Sequence, residues 1–346
     1  MKYWLVLRWQ KPAFSFRIKR QLPFVVGCIA IITLSAIAFS LAWGEYQIAL
    51  LDVIRTLIGL KPQNPDATFI VLTLRFPRAI AAWLVGVGNA IAGTIIQSIT
   101  RNPLAAPSII GINAGASLAA VTLLVIFPMS PASVLPWAAF AGACGVAAAI
   151  YLLAWRDGCS PLRLILVGVG MNLIAGALTN LMVTLGEVNS VSQALIWLAG
   201  SVYGRSWAQV NVLLPWIAVF TGFTLISTRE LNIFALGDDI AQGLGIRLEI
   251  KRILLLLFSL ALAGASVATA GSIGFVGLIA PHVARRLIGA SYENLLPVAA
   301  LMGGLLVVLA DLLGRLLFTP LELPCGLVTA ALGAPYFLFL LMRDRP

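Results

Sequence analysis

The chain has 346 residues, of which 60% are hydrophobic and 10% charged, with a net charge of +10. Soluble domains carry about 25% charged residues and stop growing a single core at about 250–300 residues. This composition excludes a soluble enzyme, a nucleic-acid-binding domain and a disordered chain, and points to a multi-pass helical membrane protein.

The basic segment of residues 1–21 holds Lys2, Arg8, Lys11, Arg17, Lys19 and Arg20. The apolar run after it, Leu22–Trp43, is longer than the ~7–15 residues of a signal-peptide core and reads as a first transmembrane helix. A more polar stretch, Gly44 to Thr73, precedes a second helix over Ala79–Ile99. No charge lies between Arg101 and Arg156, a gap of 54 residues that Pro128, Pro131 and Pro136 divide. It gives a third helix over Pro107–Phe127 and a fourth over Val134–Trp155. The fifth runs over Leu162–Leu185 and the sixth over Trp207–Ile226. The uncharged residues from Ile253 to Ala284 are cut by Gly271, Gly274 and Gly277 into two short helices, Ile253–Ala270 and Phe275–Ile288. The ninth is Leu295–Leu317 and the tenth Pro324–Met342.

Ten spans with both termini cytoplasmic put 17 of the 23 basic residues inside, leaving Arg55, Lys61, Arg75, Arg78, Arg205 and Arg315 outside. The charge follows the positive-inside rule and forms no basic face for nucleic acid. Ala82, Gly86 and Ala90 recur every fourth residue, a stripe that lets helices approach closely in lipid.

Enzyme chemistry finds little to work with. There is no GxxxxGK[ST] and no HExxH, the four cysteines have no metal or redox spacing, and His282 is the sole histidine. An ion-coupled carrier needs ionisable groups near the midplane. The one acidic residue well inside a helix, Asp311, is spaced to pair with Arg315 four residues on. A permease driven by a separate ATPase needs a cytoplasmic docking element, and the loop at 228–250 offers one. Leu231 to Leu236 reads as one short helix, and Asp238 and Asp239 after Gly237 as the start of a second that Gly243 and Gly245 end. Ile233, Phe234, Leu236, Ile240 and Leu244 would give it an apolar surface for a partner groove. A scaffold that transports nothing is the structural alternative.

Several blocks resemble the FecCD-type permeases, the membrane subunits of type II ABC importers for ferric siderophores, haem and cobalamin. They are LRFPRAIAAWLVGVGNAIAGTIIQSITRNPLAAPSIIGINAGAS (Leu74–Ser117), LNIFALGDDIAQGLGI (Leu231–Ile246), GSIGFVGLIAPHVARRLIG (Gly271–Gly289) and LADLLGRLLFTPLELPCGLVTAALGAPYFLFLL (Leu309–Leu341). The likeness runs from about Gly44 to the C-terminus. It implies an all-α fold of ten transmembrane helices in one permease domain over 22–346. It also assigns roles: Arg75, Arg78 and Arg315 to basic pockets for acidic residues of a binding protein, Asn102 and Leu104 to a cytoplasmic gate, and the 228–250 loop to ATPase coupling. Met171, Asn172 and Asn180, with Gln193 and Trp197, are candidates for lining the pathway.

The expected assembly contains two ATP-binding-cassette subunits, a second permease and a periplasmic or lipid-anchored binding protein, with no nucleic acid. No cofactor is expected on this chain, ATP and Mg belonging to the partner subunits. The blocks VSQALIWLAGSVYGRSW and LTLRFPRAI are most similar to the ferric dicitrate and siderophore branch, which often pairs two different permeases, so a heterodimer is favoured over a homodimer. The expected function is inner-membrane import of a ferric siderophore or ferric citrate, with cobalamin or haem as the alternative cargo.

Overall fold

The computed structural model describes residues 4–9, 14–156, 158–317 and 321–343. Of the basic residues expected on the inner side, Lys2, Lys11 and Arg345 lie outside the described residues.

The N-terminal segment forms an antiparallel hairpin of β1 (Trp4–Trp9) and β2 (Phe14–Lys19), with Trp4 opposite Lys19. Helix α1 (Leu22–Ala42) follows, then a short amphipathic α2 (Leu50–Leu57) inside the stretch expected to be polar and irregular. Helix α3 spans Ala67–Thr100, starting well before the expected Ala79. Its residues Ile70–Arg75 form a π-turn in which the Phe76 N–H bonds the Val71 carbonyl five residues back. That wider turn carries the helix past Pro77, which has no N–H to give, so the proline that reads as a boundary lies within a continuous helix.

The remaining helices are α4 (Ile112–Ile126), entered through a 3-10 turn at Pro107–Ile110, α5 (Leu135–Ala154), α6 (Pro161–Leu185), α7 (Val188–Ala199) and α8 (Trp207–Ile226). Then come α9 (Thr228–Leu236), α10 (Asp238–Gly243), α11 (Leu248–Ala270), α12 (Val276–Ile288), α13 (Tyr292–Leu316) and α14 (Cys325–Arg343). Among the described residues, 7 helices are long and apolar enough to cross a membrane. With the shorter α4, α12 and α14 they match the expected spans one for one. The break at Gly271 is present: α11 stops at Ala270 and α12 resumes at Val276.

The core is built around α3, nearly all of which is buried from Ala79 to Thr100. The small-residue stripe explains how. A β-carbon on Gly86 would collide with the Gly303 carbonyl on α13, and one on Gly93 with the Gly277 carbonyl on α12. Without a hydrophobic drive between helices in lipid, such close approach supplies the dispersion contacts that hold the bundle.

Candidate functional site

At the end that the sequence assigns to the outside, Arg75, Arg78 and Arg315 come together, but not as free forks for a partner. The π-turn aims Arg75 at the end of α1, where it donates to the carbonyls of Leu41 (2.7 Å), Ala42 (3.2 Å) and Tyr46 (2.5 Å). Arg78 grips Asp311 on α13 through Nε (3.1 Å) and Nη2 (2.8 Å), and its Nη1 reaches Glu322 at 2.8 Å. Arg315 donates to the Ser40 carbonyl (3.1 Å) and hydroxyl (2.5 Å) and lies 3.6 Å from Asp311, its expected partner. All three are buried. The three arginines expected to meet a binding protein thus also hold this chain together. A guanidinium taken from water needs acceptors at once, and this chain supplies them itself.

Beside this network lies a second outer feature. The Tyr203 ring sits 5.4 Å from the Arg78 guanidinium and lines a cavity of about 240 Å³ with Gln193, Trp197, Ser201 and Arg205. The expected pathway pair Gln193 and Trp197 therefore does share one pocket, with Trp197 buried and Gln193 exposed. Burial holds the Arg205 guanidinium below the usual arginine range. Met171 and Asn172 lie elsewhere. Met171 is packed against the main core, and Asn172 donates to the Ser108 carbonyl at 2.9 Å, joining α6 to the turn before α4. Asn180 is exposed on α6.

Asn102 and Leu104 fall in the tight connection between α3 and α4. The Asn102 side chain accepts from the Leu104 N–H at 2.9 Å, and its carbonyl from the Ala105 N–H at 3.1 Å. Asn102 thus makes the turn, which the Asn-Pro dipeptide favours.

At the opposite end, α9 and α10 form the expected pair of short helices, parted by Gly237 at φ 115°. The apolar surface is narrower than expected. Leu231 and Phe234 are fully buried and face the bundle, where the Leu231 carbonyl accepts from Ser98 Oγ at 2.7 Å. Leu236, Ile240 and Leu244 stay bare, at 59%, 51% and 61% exposed. Asp239 is exposed, while Asp238 does not cap α10 through its side chain. It accepts from Arg252 at 2.9 Å and lies 3.9 Å from Arg101. Arg252, 1% exposed, also pairs with Glu249 at 2.7 Å, donates to the Cys159 carbonyl, and lies 5.8 Å from the Phe234 ring. Gly243 closes α10 and Gly245 follows at φ 76°, as expected. Burial raises the Cys159 thiol, which makes it an inert filler.

The family model of the FecCD transport family matches residues 31–343. This chain belongs to the FecCD transport family. As a FecCD protein it is an ABC transporter permease that passes the membrane many times. It is 42% identical over 333 residues to the iron(3+)-hydroxamate import permease of Bacillus subtilis, covering 94% of this chain and 98% of that one. The achromobactin transport permease of Dickeya dadantii is 41% identical over 341 residues, covering 98% and 97%. The Fe(3+) dicitrate transport permease of Escherichia coli is 42% identical over 277 residues, covering 80% and 86%. The fold matches an inward-facing metal-chelate type ABC transporter with a TM-score of 0.83 at 28% identity, covering 93% of this chain and 99% of that one.

Sequence reasoning did not find Glu322, Tyr203, Arg205 or Arg252. The Glu249–Arg252 pair was legible as an i,i+3 spacing at the start of α11. Glu322 meets Arg78 across 244 positions, and no local pattern announces that.

Proposed function

We propose that this FecCD permease imports a ferric chelate, a ferric siderophore or ferric citrate, across the inner membrane, driven by ATP hydrolysis on separate subunits. The observation that carries the reading is the bare apolar edge of Leu236, Ile240 and Leu244 on a short helical pair otherwise fastened to the bundle. Exposed leucine and isoleucine on a charged loop mark a protein partner, and an ATPase subunit is the partner a permease of this family requires. The cargo class is supported by the relatives, named for hydroxamate, achromobactin and dicitrate transport at 41–42% identity.

In the mechanism, ATP binding and hydrolysis on two partner subunits move α9 and α10. Phe234 and the Asp238–Arg252 bond pass that motion to α11, and Leu231 with Ser98 passes it to α3. The turn at Asn102 and Leu104 ends α3 at the inner face, so tilting α3 opens or closes the inner end of the pathway. A second permease, different from this one, completes the pathway. A periplasmic or lipid-anchored binding protein delivers the chelate to the outer face, where Arg75, Arg78 and Arg315 outnumber Asp311 and Glu322 and so favour an acidic partner surface. ATP and Mg belong to the ATPase subunits.

The test is uptake of radioactive ferric citrate, a ferric catecholate, a ferric hydroxamate and cobalamin in cells lacking and then regaining this chain. Restored iron uptake with at least one chelate is expected. Restored cobalamin uptake alone would overturn the iron assignment.

A further inference from the structure

Of the arginines gathered at the outer end, three are held by groups of this chain: Arg75 by backbone carbonyls, Arg78 by two carboxylates, Arg315 by Ser40 and Asp311. Arg205 differs. Among the described residues no hydrogen bond or ion pair reaches its side chain, and its Nε is sealed from solvent with no acceptor. Leaving a buried donor unmet is unfavourable, so a chain that has acceptors to give its other outer arginines has withheld them here.

The loop that carries Arg205 is pinned. The Ser201 N–H bonds the Ala270 carbonyl at 2.7 Å, the Gly326 N–H bonds the Gly200 carbonyl at 2.9 Å, and the Arg205 N–H closes a turn onto Val202 at 3.3 Å. Ser206 and Gln209 then form a capping box that starts α8 immediately after Arg205. The backbone that carries Arg205 is therefore held in place before any ligand arrives, which lowers the ordering cost of binding.

The cavity that Arg205 lines combines Trp197 and Leu135 with polar groups from Gln193, Ser201 and Tyr203. The Ser201 hydroxyl already accepts from the Tyr203 N–H at 3.1 Å, so its own hydrogen is free to be donated. The cavity is about 240 Å³, below the ~300–1,000 Å³ of pockets that enclose a whole small molecule. It suits one arm of a larger ligand.

We infer that this cavity is an anion subsite at the outer mouth of the pathway, in which Arg205 takes a carboxylate arm of the incoming ferric chelate. Gln193, Ser201 and Tyr203 supply further donors, Trp197 forms the apolar wall, and the body of the chelate stays in the pathway. Arg205 is thus a specificity-determining residue that favours carboxylate-bearing chelates over neutral hydroxamate ones. The inference rests on the ferric-chelate reading above and sharpens it.

The complete transporter, with its binding protein and ATPase subunits, is tested in proteoliposomes with ferric citrate and with a neutral ferric trihydroxamate. The half-saturating concentration of ferric citrate is expected to rise about tenfold in Arg205→Gln and to be largely restored in Arg205→Lys, with the maximal rate little changed, because a charge-assisted bond is lost and regained. Gln193→Leu, at an exposed side chain of the same cavity, is expected to give a smaller rise and keeps the test open if Arg205→Gln fails to fold. Capture of the binding protein is expected to stay at the wild-type level. Three results would each overturn the inference: wild type that carries only the neutral chelate, variants that slow both chelates equally, or capture of the binding protein that falls in step with uptake. The first leaves the ferric-chelate reading standing, whereas wild type that carries neither iron chelate removes both.

Discussion

Both ends of the bundle bury arginine beside carboxylates, and they do so for different ends. At the outer end the partners are distant in sequence: Arg78 and Asp311 are 233 positions apart, and Arg315 and Ser40 are 275 apart. These bonds fasten α1, α3 and α13 to one another and to the segment before α14. At the inner end the carboxylates that Arg252 meets are near, Glu249 on the preceding turn and Asp238 only 14 positions away, although Arg252 also reaches the Cys159 carbonyl 93 positions off. That group holds two short helices against α11 while leaving one apolar edge bare. A long-range buried network closes the fold. A short-range one can shift with its loop without opening the bundle.

The sharpest way to break this comparison is Asp311→Ala. It leaves Arg78 and Arg315 buried without their shared counter-charge, and removing one partner of a buried pair costs about 3–5 kcal/mol. The melting temperature of the purified protein in detergent should fall far below that of wild type. An unchanged value would end the claim that the outer network closes the fold. Asp238→Ala should cost less, about 1.5–3 kcal/mol, because Arg252 keeps Glu249 and the Cys159 carbonyl. Chelate uptake should drop out of proportion to that change, and a proportionate fall would make the inner group a second staple. Glu322→Gln should cost under about 1 kcal/mol, since Glu322 is partly solvated and Arg78 retains Asp311. Smallest in stability is Leu236→Glu with Ile240→Glu, within about 0.5 kcal/mol for exposed positions. Yet pull-down of the ATPase subunit by this variant should fall at least about tenfold, as for a central apolar anchor. Reversing Arg75 and Arg78 to glutamate is not a clean probe of binding-protein docking. It would set carboxylates against the Leu41 and Ala42 carbonyls and against Asp311, and so unfold the protein first.

The spans were legible because lipid allows few solutions: an apolar run of sufficient length must be a helix. Trp207–Ile226 has the bounds expected from the sequence, and the break after Ala270 falls where Gly271, Gly274 and Gly277 cut the uncharged stretch. The start of α3 was hidden because a π-turn absorbs Pro77, and a π-turn has no local sequence signature. Position on the loop at 228–250 was legible, but orientation was not. Leu231 and Phe234 have the same apolar character as Leu236 and Ile240, and only packing against α3 and α11 decides which pair faces solvent. The arginines were found by residue type, while their state depends on Glu322, Asp311 and Ser40, which tertiary structure alone brings to them.

The central claim is that this permease moves iron chelates on energy delivered through its inner loop. The most direct measurement is uptake of radioactive ferric chelate into proteoliposomes holding the complete transporter, with ATP sealed on the ATPase side and proton and sodium gradients collapsed. The account predicts uptake that requires ATP, survives the ionophores and is lost in Leu236→Glu with Ile240→Glu. Uptake that proceeds without ATP and follows an ion gradient would contradict it.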